Sequence, residues 1–221
     1  MKQNIKERPI IFSGEMVKAI LDGKKTMARR VIKSDIGAYD HGHIIKQSSD
    51  KSREGSACFF NKPVGCMVTS SKLVKCPYGK IGDRLWVRET WIQGYDDPLI
   101  ESEGDDENAV SIIYKADGKE EYRTCSAETA ENWGDFSADS EMVGFKSPIH
   151  MPRWASRILL EITDIRVERL QDISEEDAIK EGMPPSHASI DRISMQHGFN
   201  SFSQSCFAQL WDSLNDKKGY Q

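Results

Sequence analysis

The local pattern that is most informative about the fold lies in residues 14–30, GEMVKAILDGKKTMARR. Four apolar side chains recur at the spacing of one helical stripe: Met16, Val17, Ile20 and Leu21. Ser13 precedes them as an N-cap. Gly23 is the residue type that commonly ends a helix, because glycine adopts the left-handed conformation without strain. The stretch therefore predicts a short helix that ends at Gly23.

The segment that follows this glycine is dense in positive charge. Its cations are Lys24, Lys25, Arg29 and Arg30, with Thr26 among them. Two interpretations fit such a cluster: a solvated charged surface, or a compact site for an anion. We expect a short strand at 10–12 before the helix and a second strand at 28–33 after the basic turn, so that two regular elements frame the site.

Composition limits the kind of ligand. The 221 residues include 30 Lys+Arg and 35 Asp+Glu, for a net charge of -5, which argues against nonspecific nucleic-acid binding over the whole surface. An anionic ligand must therefore meet a local patch. The length fits one or two domains. We expect a single domain over 1–221, with irregular insertions at about 34–63, 93–108 and 183–200.

The sequence predicts a cytoplasmic protein. No apolar run approaches the roughly 18 residues of a membrane helix, and the first nine residues lack the apolar core of a signal peptide. The five cysteines are odd in number and form no CxxC pair, which is typical of reduced thiols. We therefore expect no membrane partner, no metal and no cofactor.

Residues 84–91, RLWVRETW, predict a strand after a turn. Leu85, Val87 and Glu89 share one face of it. A glutamate in line with apolar residues has two interpretations. Either Glu89 ends the strand at the surface, or it faces the interior of an open barrel near a ligand.

Residues 147–154, SPIHMPRW, contain two prolines that prevent regular pairing. They present Arg153 and Trp154 together. An arginine beside an indole can hold a base and its phosphate, by stacking and by charge-assisted hydrogen bonds. The alternative is a tryptophan packed in the core beside an arginine whose charged end reaches water.

Further elements are predicted by periodicity and capping. Strands are expected within 64–76, at 109–115 with a hairpin return at 120–124, and at 157–170 with a bulge near 163–164. Helices are expected at 126–133, at 172–181 with Ser174 as N-cap, and at 202–215.

Three of these stretches together resemble the ASCH domain family, a relative of the PUA fold. They are the helix and basic turn of 14–30, the segment 78–91 (YGKIGDRLWVRETW), and residues 147–182, which begin SPIHMPRWASRILLEITDIRVERL. The likeness is to the larger, often prophage-encoded members. It implies an α+β fold, a PUA-like small open β-barrel with flanking helices and long loop insertions, in which 78–91 closes the barrel beside the binding cleft.

The family pattern also predicts an open barrel edge. Larger members continue past the residues equivalent to 217–220 into a tryptophan-rich closing strand, which is missing from the sequence given. An unpaired edge invites self-association.

The resemblance implies a candidate activity. Some small ASCH proteins hydrolyse the amide of N4-acetylcytidine with a lysine in the basic turn, a threonine three residues later and a glutamate at the end of a helix. Those positions correspond to Lys25, Ala28 and Glu181. Amide cleavage needs an attacking group and a proton for the leaving amine, and alanine cannot attack.

Three functions follow as expectations. The preferred one is a module that binds RNA or a nucleotide, because Ala28 removes a part of the hydrolytic machinery. Its ligand-binding residues are Lys24, Lys25, Thr26, Arg29, Arg30, Glu89, Arg153 and Trp154. The second is an amidohydrolase for a modified nucleoside, with Lys25 and Glu181 activating water directly. The third is a degenerate prophage remnant.

Overall fold

The computed structural model describes residues 5–32, 41–45, 51–60, 71–94, 109–129, 144–187, 191, 194–195 and 198–215. The protein is mixed α+β, as the family resemblance implied. It divides into two compact units, each made of two separate segments. Unit 1 consists of Met1–Lys18 and Gly82–Ile162, and unit 2 of Ala19–Ile81 and Thr163–Gln221. A single domain and a PUA-like barrel stay predictions.

The strands of the described residues are β1 (Glu7–Ile11), β2 (His41–Ile44), β3 (Ser56–Phe60), β4 (Ser71–Lys75), β5 (Arg84–Arg88), β6 (Trp91–Gln93), β7 (Ala109–Tyr114), β8 (Glu120–Thr124) and β9 (Leu159–Glu161). The α-helices include α1 (Gly14–Leu21), α2 (Glu175–Lys180) and α3 (Phe202–Asn215). Single 3-10 turns occupy Lys51–Arg53, Pro148–His150 and Leu170–Asp172. In the described part of the chain, no helix is both long enough and apolar enough to span a bilayer.

Unit 1 contains a sheet in the order β1-β5-β9, with β1 parallel to β5 and β9 antiparallel to it. Pro9 lies inside β1, opposite Trp86 of β5. Because proline has no N–H to donate, it fits a strand with one bonded neighbour rather than two. β1 is an edge strand of this sheet, which explains how the strand accommodates a proline.

A second sheet of unit 1 has the order β6-β7-β8 and is antiparallel throughout. Its β7–β8 hairpin confirms the strand and return predicted at 109–115 and 120–124. One face of β7 builds the core of the unit, because side chains alternate across a strand. The buried members of this core are Trp91, Val110, Ile112, Tyr114, Met151 and Ala155.

Unit 2 contains the antiparallel sheet β2-β3-β4 and a helical core. Helices α2 and α3 pack together around Ile173, Ala178 and Phe207. The bounds of α3 match the predicted helix, since its apolar stripe has somewhere to be buried. Residues 34–63 were expected to be irregular, yet their described part includes β2 and β3.

Capping residues set the ends of the two helices nearest the site. Ser13 Oγ accepts from Met16 N at 3.4 Å, and Gly23 has φ 71°. Ser174 Oγ accepts from Asp177 N at 3.1 Å, and Gly182 has φ 97°. The predicted N-caps and glycine stops are confirmed at both helices.

Two predicted strands are wrong in extent. No strand forms over 28–32, the described part of the strand predicted at 28–33. Just before it, Thr26 N and Met27 N both donate to Lys180 O at the end of α2, at 2.8 and 3.0 Å. The strand predicted for 157–170 is reduced to β9, and residues 163–169 carry no ladder and no bulge. The later part of that stretch uses its side chains for ion pairs with α2.

Several predictions fall outside the described residues. These are most of the insertion expected at about 93–108, of which Gln93 and Gly94 are described, most of the helix at 126–133, of which residues 127–129 are helical, and the segment beyond 215 where the closing strand would begin.

Candidate functional site

The centre of the candidate site is the contact between the basic turn and the end of α2 in unit 2. Lys25 and Glu181 form an isolated antiparallel bridge. Lys25 follows the glycine that ends α1, and Glu181 is the C-cap of α2. Two helix ends therefore bring together side chains that lie far apart in the sequence.

The Lys25 ammonium and the Glu181 carboxylate form a buried ion pair. Lys25 Nζ donates to Glu181 Oε2 at 2.5 Å and to the backbone oxygen of the same residue at 2.9 Å. The side chains are 3% and 6% exposed. The resemblance implied that these residues act together, and the structure places them in direct contact.

Gly182 makes this close approach sterically feasible. A Cβ at this position would lie 3.3 Å from Ala19 Cβ and 3.5 Å from Lys25 Cβ. Its φ of 97° is also a conformation that side chains disfavour. Glycine is therefore required here twice, by backbone conformation and by the nearness of Ala19.

Arg29 binds the same carboxylate from the other side. Arg29 Nη1 donates to Glu181 Oε1 at 3.2 Å. Its Nη2 donates to Glu168 Oε2 at 2.9 Å and to Asp177 Oδ2 at 3.0 Å. The guanidinium also lies 5.7 Å from the Phe207 ring centroid. Arg29 thus links α2, α3 and the 163–169 segment.

Arg166 extends this set of ion pairs. It donates to Asp177 Oδ2 at 3.2 Å and lies 3.0 Å from Glu168 Oε1, the two carboxylates that Arg29 also binds. We call the six side chains the charge network: Lys25, Arg29, Arg166, Glu168, Asp177 and Glu181. Three cations face three carboxylates within it, and Arg166 also lies 3.8 Å from Asp164 Oδ2.

The protonation of Lys25 is perturbed. Burial lowers the pKa of Lys25 from its ordinary value of 10.5, while the Glu181 carboxylate opposes the shift. The neighbouring cations Arg30 and Arg29 lower this pKa further. A lysine with a lowered pKa is a better proton donor near neutral pH than a solvated one.

The other predicted residues of the basic turn are exposed. Lys24 is 69% exposed and pairs with Asp22 at 2.9 Å. Thr26, Ala28 and Arg30 are exposed too, and Arg30 Nη1 donates to Arg29 O at 2.8 Å. Ala28 is therefore exposed like its neighbours in the turn, whereas Lys25 is buried.

Glu89 belongs to unit 1, where it is 1% exposed. It forms a two-pronged pair with Arg157, with both oxygens accepting at 2.9 Å. Arg157 also binds Asp117 and lies 4.0 Å from the Tyr114 ring centroid. Burial raises the pKa of the Glu89 carboxyl although Arg157 opposes the shift. The interpretation that Glu89 ends its strand at the surface is wrong.

Arg153 and Trp154 also belong to unit 1. Arg153 Nε donates to Glu7 Oε2 at 2.8 Å on the exposed surface. Trp154 is partly buried and packs against the core around Trp91 and Tyr114. This contact supports the core interpretation of Trp154, and the stacking role stays a prediction.

Sequence reasoning missed Arg166, Glu168 and Asp177 as members of the site. Asp177 was expected only as a capping residue, and the alternating charges of residues 166–169 (RVER) were assigned to a strand. No local signal joins these residues to Arg29. Over the ranges that the structure describes, no three His, Cys, Asp or Glu side chains are grouped to hold a metal ion.

Comparison with known proteins adds no relative. No protein-family model matches the chain, and no significant match exists among curated proteins or solved structures. Membership of the ASCH family stays a prediction from the three stretches quoted above.

Proposed function

We propose that unit 2 carries an amidohydrolase site, centred on Lys25 and Glu181, that acts on a modified nucleoside such as N4-acetylcytidine. The observation that carries the proposal is the buried contact between the Lys25 ammonium and the Glu181 carboxylate. An acid and a base held together at a largely buried position are suited to proton transfer.

The charge network favours hydrolysis over phosphate binding. Phosphate recognition needs cations that can exchange solvent for phosphate oxygens. Lys25 and Arg29 instead bind carboxylates, and an added anion would compete with Glu181, Asp177 and Glu168. We therefore prefer the amidohydrolase over the binding module, whereas the sequence alone favoured the binding module.

The proposed reaction needs water, a base and an acid. The Glu181 carboxylate takes a proton from water while the water oxygen attacks the acyl carbon. The Lys25 ammonium stabilises the oxyanion that forms. Glu181 then gives its proton to the amine nitrogen as the C–N bond breaks, which releases acetic acid and cytidine. The step requires no side-chain nucleophile, so it is compatible with Ala28.

Binding of RNA or a nucleotide without hydrolysis is the second candidate. The observation that favours it is the exposure of Lys24 and Arg30 on the same turn. Such binding weakens with salt, and Lys24→Met would reduce the salt slope by about 1 for each lost phosphate contact.

The test is incubation of the purified protein with N4-acetylcytidine and chromatography of the products. We expect cytidine to form with the natural protein, and Glu181→Gln to lower the rate at least tenfold with an unchanged circular dichroism spectrum. Lys119→Met removes an equal charge from an exposed lysine of unit 1, so it is the control and should keep the rate. Absence of hydrolysis across a panel of acylated nucleosides would leave the ion pair with a structural role only and refute the proposal.

A further inference from the structure

We infer that Arg29 is a positioning residue for Glu181, holding the carboxylate oxygen that Lys25 does not bind. The carboxylate then keeps its position whichever protonation state Lys25 adopts. The inference depends on the proposed function for its kinetic consequence, and its structural consequence can be measured without any substrate.

The two cations divide the carboxylate between them. Lys25 Nζ contacts Oε2 at 2.5 Å, and Arg29 Nη1 contacts Oε1 at 3.2 Å. Each oxygen of Glu181 therefore has its own donor. Loss of the proton from Lys25 weakens one contact and leaves the other, so Glu181 does not become an uncompensated buried charge.

Arg29 is itself immobilised. Its side chain is 15% exposed, and its Nη2 donates to both Glu168 and Asp177. Arg166 holds these same two carboxylates from outside. A guanidinium bound at two nitrogens and packed beside Phe207 loses most of its rotational freedom. The Nη1 that reaches Glu181 is thus fixed in direction.

The two cations differ in how they titrate. A guanidinium stays protonated at any pH at which the protein is folded, whereas an ammonium can release its proton. The charged groups that act on Lys25 are Glu181 after α2 and Arg30 and Arg29 from the basic turn. Arg29 in turn binds Asp177 of α2 and Glu168 of the 163–169 segment. Arg29 is the permanent counter-charge of Glu181 among them, and it disfavours the proton on Lys25.

The first experiment measures the titration of Lys25 directly. The full-length protein is labelled with 13C at lysine Cε, and the Lys25 signal is assigned by its loss in Lys25→Met. In Arg29→Gln we expect the pKa of Lys25 to rise by about 1 unit, because a neighbouring like charge is removed. In Arg29→Lys the pKa of Lys25 should stay near its value in the natural protein. Arg169→Gln removes an equal charge from an exposed position and is the matched control. A pKa in Arg29→Gln equal to that of the natural protein would overturn the inference.

The second experiment measures hydrolysis in the same variants. Arg29→Gln should lower kcat at least tenfold and leave KM within twofold. The alkaline limb of its pH–rate profile should move to higher pH, together with the pKa of Lys25. Arg29→Lys should recover part of kcat. If Arg29→Gln does not fold, Arg29→Lys tests the inference instead. A kcat of Arg29→Lys equal to that of the natural protein would show that the two-nitrogen contact of the guanidinium is not needed. A natural protein without activity refutes the proposed function alone, and the titration still decides the role of Arg29.

Discussion

Lys24 and Lys25 are adjacent and identical in chemistry, yet the Lys24 side chain is 69% exposed and the Lys25 side chain 3% exposed. Lys24 pairs with Asp22 of the same turn, whereas Lys25 pairs with Glu181, 156 positions away. The two residues therefore provide a matched pair in which only the surroundings differ.

Substitution of each lysine by methionine should separate these surroundings. Lys25→Met leaves Glu181 buried with Arg29 as its remaining partner, so we expect the free energy of unfolding to fall by about 2–3 kcal/mol. Lys24→Met should change it by less than about 0.5 kcal/mol, as for an exposed pair. Urea denaturation measures both. Equal effects of the two changes would contradict the buried pairing.

The lowered pKa of Lys25 predicts a stability that depends on alkaline pH. Between the lowered pKa and 10.5, the unfolded chain holds a proton that the folded chain has released. Because the unfolded state then binds more protons, the free energy of unfolding contributed by this group rises with pH in that window. The difference between the natural protein and Lys25→Met should grow from pH 7 to 10.5 in urea titrations. A constant difference would mean that Glu181 offsets the effect of burial on the pKa, and a shrinking difference that Glu181 outweighs it.

Ala28 distinguishes water from a side-chain nucleophile. Because Ala28 is exposed and Glu181 is proposed to activate water, Ala28→Thr should leave the hydrolysis rate within about twofold and leave the fold intact. Kinetics on N4-acetylcytidine provide the measurement. A large gain in rate would instead indicate that a threonine at position 28 attacks the substrate, as the family resemblance implies.

Arg157 offers a comparison between two counter-ions that bind it in the same way. Glu89 and Asp117 each accept two hydrogen bonds from its guanidinium, but their side chains are 1% and 25% exposed. We expect Glu89→Gln to destabilise the protein by about 3 kcal/mol and Asp117→Asn by about 1 kcal/mol or less. Thermal denaturation of the two variants decides, and the reverse order would assign the main pairing to Asp117.

Trp154 should behave as a core residue. It packs against the buried cluster of unit 1, so truncation of Trp154 to alanine is expected to cost about 2–3 kcal/mol of stability. Calorimetry gives the loss, and hydrolysis per folded molecule should remain. A stable variant that has lost affinity for a nucleotide would favour the stacking role.

Local patterns predicted the elements around the site well. Ser13, Gly23, Ser174 and Gly182 each act through backbone groups within a few residues, so their roles can be predicted from sequence. The hairpin of β7 and β8 followed from alternation and a turn for the same reason.

The contacts that join distant segments could not be predicted in this way. A strand was predicted at 28–33, but its described part forms none, and Thr26 and Met27 just before it bond the end of α2, because tertiary contacts override local propensity. The partners of Arg29 lie 139 to 152 positions away, and only the family resemblance linked Lys25 with Glu181. The charge network is a property of the fold, and no spacing rule encodes it.

The division of unit 2 into two segments has a consequence for how the protein folds. Residues 19–81 cannot complete their unit until residues 163–221 have been synthesised, while the whole sequence of unit 1 precedes that second segment. Closing so long a loop carries an entropy cost that local contacts do not offset, and contacts of high sequence separation form slowly. The meeting of Lys25 with Glu181 should therefore be a late event in folding, reported by a slow phase that is absent when only the elements of unit 1 are followed.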